Sequence, residues 1–223
     1  MNVYKITDII RNDLENLGLP TTLYHLALRA INRVTYFTVL NCMTIGVVDP
    51  HYLKGNNRYS YMFLNSNMLF KFAKNKDYDL PEEFLQQALK KDDECYAILD
   101  GDTLASYGWY STKPTNISDA MRFHFSNGYI YMYKGYTHNN YRGQRLHAIG
   151  MTLALKEYLS RGFKGIISYV ESTNFGSLKS VYRMGYKDVG KVYILKIFGT
   201  YQVYRTKGCR EYGIWLERLW PDA

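Results

Sequence analysis

Tyr129 to His147 reads YIYMYKGYTHNNYRGQRLH, and this stretch decides the fold. Tyr129 to Thr137 is dense in β-forming residues and predicts a long strand. A tight turn follows, and from Leu146 the pattern changes period. Leu146, Ile149, Met151, Leu153, Leu155 and Leu159 surround most of a helix running to Arg161, with Thr152, Lys156 and Ser160 as its polar stripe, which predicts a largely buried helix. A strand, a turn and a helix start gather several unpaired backbone N–H groups at one spot and add the positive end of the helix dipole. An anion belongs there. Gly143 lets the backbone approach a phosphate, and Arg142 and Arg145 add charge that screens a pyrophosphate.

Working outward toward the C-terminus, Gly162 ends the helix and Gly165 to Val170 is an apolar strand of the parallel-sheet kind. Next comes ESTNFGSLKSVYRMGY, Glu171 to Tyr186. It predicts a short helix from Phe175 to Met184 in which Leu178, Val181 and Tyr182 share a face, aiming Tyr182 at the cleft. Gly185 serves as its left-handed cap, with Tyr186 packing back behind it. Strands near Asp188 to Phe198 and Tyr201 to Arg205, and a terminal segment to Trp220, complete the chain.

Toward the N-terminus, Lys113 to Ser126 is polar and irregular and reads as a loop over a binding cleft. Before it lies a hairpin, Cys95 to Leu99 and Thr103 to Tyr110, joined by Asp100-Gly101-Asp102, a strong turn signal. Pro81 sits where a helix first turn accepts proline, leading Glu82 to Lys90; Ser66 starts another helix to Lys74, and Tyr59 to Leu64 is a strand. Residues 1–52 read as an extension: a helix over 3–17, broken by Gly18 and Pro20, a second from Thr21 or Thr22 to Arg33, and a strand within 37–48 closed by Asp49-Pro50. The expected division is thus an extension over 1–52 and the main domain over 53–223.

The two quoted segments together resemble the GNAT (Gcn5-related N-acetyltransferase) superfamily. Arg142-Gly-Gln-Arg-Leu-His147 occupies the place of the family signature Gln/Arg-x-x-Gly-x-Gly/Ala, departing from it at Arg145 and His147. Asn174, Tyr182, Gly185 and Tyr186 resemble the downstream pattern, and the order of elements fits from Tyr59 to Tyr204. The resemblance implies an α/β (α+β) fold: a mixed, mostly antiparallel sheet with a central parallel strand pair splayed for CoA and helices on both faces. It implies acetyl transfer from acetyl-CoA, the co-substrate, to an amine by direct attack, with no metal. The CoA pyrophosphate would lie on Arg142, Gly143, Gln144, Arg145, Leu146 and His147, and Asn174 would touch the CoA arm. An N–H of Gly135, Tyr136 or Thr137 would stabilise the oxyanion. Tyr182 would protonate the departing thiolate, and Glu171, His124, His138 or a water chain would take the amine's proton. Of these bases, Glu171 is the residue placed in the catalytic pair with Tyr182.

Composition narrows the alternatives. Residues 1–112 hold 11 Lys and Arg against 13 Asp and Glu, whereas residues 113–223 hold 17 against 7. A basic half favours an anionic partner, and it keeps three other readings open: a longer acyl-CoA, an acyl carrier protein or aminoacyl-tRNA as donor, or a non-catalytic domain binding CoA or nucleic acid. Cys42, Cys95 and Cys209 form no CxxC pair, which argues for reduced thiols in the cytoplasm rather than a zinc site or disulfide framework. The N-terminus lacks a signal-peptide pattern, and the best apolar run, Val34 to Val48, is interrupted by Thr35, Thr38, Asn41 and Thr44 and falls short of the roughly 20 residues of a spanning helix. No HExxH, Walker loop or paired Cys/His ligand set suggests a different chemistry.

Overall fold

The computed structural model describes residues 14–15 and 18–219. Of the helix expected over residues 3–17, Leu14 and Glu15 are described and helical; the remainder lies outside the described residues, as do residues 220–223 at the chain end.

Eight strands form the main sheet. In chain order they are β1 (Phe37–Ile45), β2 (Ser60–Phe63), β3 (Glu94–Asp100), β4 (Thr103–Ser111), β7 (Ile130–Thr137), β8 (Ile166–Glu171), β9 (Lys187–Ile197) and β10 (Thr200–Arg205). Their spatial order is β10-β9-β1-β8-β7-β4-β3-β2. Every pairing is antiparallel except that of β7 with β8, which is parallel. The protein is therefore a mixed α/β fold with one central parallel pair.

Alternation along the central strands divides the core between the two faces of the sheet. Met43 and Ile45 of β1, Ile130 and Met132 of β7, and Ile166 and Val170 of β8 join one cluster. The helix α4 (Leu146–Ser160) covers it with Met151, Ala154, Leu155 and Tyr158. The intervening residues Leu40, Cys42, Tyr131 and Ile167 enter a cluster on the opposite face. There a second, three-stranded sheet covers them: β5 (Thr115–Ser118), β6 (Met121–His124) and β11 (Trp215–Arg218), in the order β11-β6-β5. The helices α2 (Ser66–Ala73) and α3 (Glu82–Lys90) pack together beside it, over β3 and β4, burying Leu69, Phe72 and Leu85 against Leu104 and Trp109.

Two expectations change. The segment 113–126 is not an irregular loop: Thr115–Ser118 and Met121–His124 pair, and β11 from the chain end completes their sheet. Asn116 and Ser118 face solvent while Thr115, Met121 and Phe123 are buried, which is the alternation of a half-covered sheet. The boundary expected at residue 52 does not separate an extension from the main fold either. β1 lies inside the large sheet, hydrogen-bonded to β8 on one side and β9 on the other, with Cys42 and Met43 fully buried. A short apolar run reads the same whether it lies at an edge or in the middle, so its place was invisible to local pattern. The helix α1 (Leu19–Ile31) follows β1's lead, docking beside the end of β8: Tyr24 Oη lies 2.7 Å from Ser172 Oγ, and His25 Nε2 3.1 Å from the Thr173 carbonyl.

Cys42, Cys95 and Cys209 are all free and buried. No helix among the described residues is long and apolar enough to cross a membrane.

Candidate active site

The site begins where two strands part. β7 and β8 pair only at Ile130 with Ile166 and Tyr131 with Ile167. Beyond them the strands diverge, and a cleft of about 490 Å³ opens between them, floored by β7 and β8 and walled by the helix α5 (Phe175–Arg183). The Ser168 hydroxyl bridges the start of the gap, donating to the Met132 carbonyl at 2.9 Å.

On its other edge β7 stays paired to β4, and this pairing determines which backbone groups reach the cleft. The His138 N–H donates to the Ala105 carbonyl at 3.0 Å. By alternation the Tyr136 N–H also faces β4, and Gly135 and Thr137 direct their N–H groups toward the gap. Of the three expected oxyanion donors, Tyr136 is therefore aimed away. Its side chain nevertheless lines the cleft, its ring stacked on Tyr107 at 5.2 Å and its hydroxyl bonded to the Asp77 carbonyl.

The turn after β7 leads into a helix start without a side-chain cap. Gly143 takes φ +82°, and Arg145, at φ +60°, is the residue preceding α4. No side chain caps α4 and its first turn carries no acidic residue, so its leading N–H groups are left to a ligand or water. Arg142 and Arg145 are exposed, and Arg145 Nη1 lies 3.3 Å from His51 Nε2. Gln144 is held in place by the Tyr59 hydroxyl, which donates to its Oε1 at 2.6 Å, and the Leu146 side chain is buried in the core, leaving only its backbone available. These five residues lie beside the cleft rather than in its wall; His147 is the member of the expected set that lines it. A Cβ on Gly135 would stand 2.6 Å from His147 Cε1, so the imidazole packs directly on a bare stretch of strand. Its surroundings desolvate the ring and push its pKa below the ordinary histidine value, favouring the neutral form.

On the facing wall, Asn174 lines the cleft and caps α5, its Oδ1 accepting the Ser177 N–H at 3.1 Å. Glu171, at the end of β8, is exposed and lines the cleft mouth. The Tyr169 phenol beside it is pushed up to about 12, first by burial, with Glu171 adding to the rise.

Tyr182 is the correction. It is 45 % exposed, it does not line the cleft, and its hydroxyl donates to Asp188 on β9, with Oδ1 at 2.9 Å. The residues that α5 does present to the cleft are Ser177, Ser180, Val181 and Met184. One helical residue is a rotation of about 100°. Val181 takes the inward position, so Tyr182 is carried round toward β9. Counting from Asn174 at helical period would have found the stripe through Ser177, Val181 and Met184. Strand alternation likewise accounts for Tyr131, Tyr133 and Tyr169, which line the cleft from the two strands and were not singled out. The two histidines considered as bases lie elsewhere. His124 stacks on Trp215 at 4.1 Å and bonds Glu217, and His138 accepts the Asn140 N–H on its Nδ1.

A mixed, mostly antiparallel sheet whose one parallel pair parts beside an uncapped helix start is the framework to compare with known proteins. A family model described as the acetyltransferase (GNAT) family matches residues 61–186, and the chain belongs to that family. Among solved structures, a GCN5-related N-acetyltransferase from Sphaerobacter thermophilus superposes with a TM-score of 0.50 at 11 % identity, over 81 % of this chain and 55 % of that one. A GCN5-related N-acetyltransferase-like protein from Streptococcus suis gives 0.49 at 15 % identity, over 79 % and 67 %. An aminoglycoside acetyltransferase from an uncultured soil metagenomic sample, solved with trehalose, gives 0.44 at 16 %, over 58 % and 88 %. At 11 % identity the Sphaerobacter thermophilus likeness speaks to fold alone. Comparison with curated protein sequences finds no match. The family match ends at Tyr186 and begins after β1, so the strand that sits between β8 and β9 lies outside it. Among the described residues no group of three or more His, Cys, Asp or Glu side chains is arranged to hold a metal.

Proposed function

We propose that this acyltransferase moves an acetyl group from acetyl-CoA to an amine, with the thioester lying in the cleft between β7 and β8. The observation that carries this reading is the parting of those strands after two paired residues, beside an uncapped helix start flanked by Arg142 and Arg145. The cleft suits a pantetheine arm, because an extended amide chain completes the unpaired edge of a strand as another strand would. Pyrophosphate suits the turn at Gly143, where the backbone is open and the helix dipole adds positive potential.

The residues then divide the work. N–H groups of Gly135 and Thr137 face the gap and are positioned to meet the oxyanion that forms at the thioester carbonyl. Glu171, at the cleft mouth, is placed to accept the amine's proton directly or through water. Tyr182 has no part in this scheme. A thiol with a pKa near that of cysteine, about 8.5, departs as thiolate with little help from an acid, and the hydroxyls on the cleft face of α5 are those of Ser177 and Ser180.

Thermal unfolding with CoA, acetyl-CoA and longer acyl-CoAs tests the reading. A ligand bound only by the folded form at a hundred times its Kd adds about 2.7 kcal/mol of stability. A rise selective for acetyl-CoA, weakened in Arg142→Ala, is the expected result. A larger rise with a longer chain changes the donor, and no rise with any thioester removes the CoA reading in favour of a carrier-protein, tRNA or non-catalytic role.

A further inference from the structure

A second opening lies on the other side of Tyr133. Between α3 and the small sheet a pocket of about 780 Å³ is lined by four cations, Lys90, Lys91, Lys113 and Arg122, against one carboxylate, Asp93. Tyr133 lines both this pocket and the β7/β8 cleft, so the two spaces meet at that residue.

Asp93 organises that junction. It is 5 % exposed; its Oδ2 lies 3.0 Å from Lys91 Nζ and accepts the Tyr133 hydroxyl at 2.8 Å. Lys91 Nζ also donates to Thr115 Oγ1 at 2.6 Å and sits over the Tyr133 ring. The other carboxylate oxygen, Asp93 Oδ1, is buried without a hydrogen-bond partner among the described residues. That oxygen is shut away from the pocket, so it marks the cost of burying the carboxylate beneath Tyr133 and not a contact for a ligand.

The charges converge as well. Burial drives the Lys91 pKa down, Asp93 opposes the fall, and Arg122 and Lys113 deepen it, so the cations lie close enough to repel one another. Their other partners are at the surface: Lys113 pairs with Asp92 at 2.7 Å and Arg122 with Glu217 at 3.4 Å, all four side chains well exposed. Exposed pairs of this kind are weak and yield to a competing anion.

We propose that this pocket is the acceptor site and that its substrate is a small primary amine that also carries a carboxylate or phosphate group, a proposal that rests on the transferase reading above. The anionic group lies on Lys113 and Arg122, and the amine is presented past Tyr133 to the thioester. Positive surroundings disfavour the ammonium form and so help to deliver a free amine. In the transfer, the amine nitrogen forms a bond to the acetyl carbonyl carbon, the carbon–sulfur bond breaks, the amine gives up a proton and the thiolate takes one up, leaving an amide and a free thiol.

Matched amines test the assignment. With acetyl-CoA present, thiol release is compared for phosphoethanolamine against ethanolamine and for 4-aminobutyrate against putrescine. The anionic member of each pair is expected to be the better substrate, and the double variant Lys113→Ala, Arg122→Ala to raise its KM by about tenfold or more while leaving the KM of acetyl-CoA unchanged. Better use of ethanolamine or putrescine, or an unmoved acceptor KM, overturns the assignment and leaves the transferase standing. Where none of these amines is acetylated, calorimetric titration of phosphoethanolamine and 4-aminobutyrate decides: saturable binding that is lost in the double variant supports the site, and no binding at millimolar concentration overturns it. Failure of the transferase reading itself shows separately, as the absence of any thermal shift with CoA thioesters.

Discussion

The two edges of β8 are opposites. Toward β1 it is paired along its whole length, from Leu40 with Glu171 to Ile45 with Ile166; toward β7 it is paired at two positions and then abandoned. One edge satisfies its backbone groups internally and buries Met43 and Ile166 completely, whereas the other leaves peptide groups of both strands facing a cleft. A strand whose partner diverges is exposed to misplacement, because half its hydrogen bonds are missing. The full ladder on the β1 side compensates by holding β8 in register while the β7 side stays open for a ligand. That makes the N-terminal segment part of the machinery for keeping the cleft: Leu40 of β1 pairs with Glu171, and His51 lies beside Arg145.

The largest effect is expected on the knitted edge. Met43→Ala removes a fully buried side chain from the strand and should cost about 2–5 kcal/mol, read as a lower urea midpoint with unchanged slope; a cost below 1 kcal/mol would mean that β1 does not anchor the core. On the open edge, Gly135→Ala forces a methyl group against His147 Cε1 and Met132 Cε, at 2.6 and 2.9 Å. Acetyl-CoA affinity should fall by roughly tenfold, about 1.4 kcal/mol, with less effect on urea stability than Met43→Ala. Equal losses of stability in the two variants would erase the distinction between the edges.

His147 gives a smaller, pH-dependent effect on the open edge. Its pKa is lowered in the folded state, so the unfolded chain binds the proton more readily and folding loses stability as pH falls below the unfolded value of about 6.5 toward the folded one. The melting temperature of His147→Asn should decline less than that of the parent between pH 7 and pH 5; parallel declines would place the titration elsewhere. Smallest of all is Tyr182→Phe. With its hydroxyl on Asp188 outside the cleft, the substitution should leave turnover within about twofold, the range of surface changes near ±0.5 kcal/mol. A loss of a hundredfold would show that α5 rotates to bring Tyr182 inward when substrate binds.

The elements that carry the candidate site were legible because their signals are local. Gly143 at a strand-to-helix turn and Asn174 at a helix start need only their neighbours to define them, and each lies where the chain pattern puts it. Tyr182 failed for a local reason too: the face of a short helix with Leu178, Val181 and Tyr182 adjacent is ambiguous by one residue, and in the fold Val181 joins the core with Met184 while the Tyr182 hydroxyl turns to Asp188 of β9. Asp93 had no signal at all. It follows a helix in a run of charges, Lys90-Lys91-Asp92-Asp93-Glu94, and only the fold buries one of them beneath Tyr133.

By itself, the sequence determined most of the elements, the strand-to-helix turn at Gly143 and the family, since helical and strand periods, turn residues and the two motifs act over a few residues each. Tertiary structure alone decided that residues 37–45 stand between β8 and β9, that 113–124 fold back as a second sheet, and that Lys91, Asp93, Lys113, Arg122 and Tyr133 meet around one pocket. Strand order and convergence of distant side chains depend on hydrogen bonds and packing between segments far apart in the chain, and no local pattern carries that information.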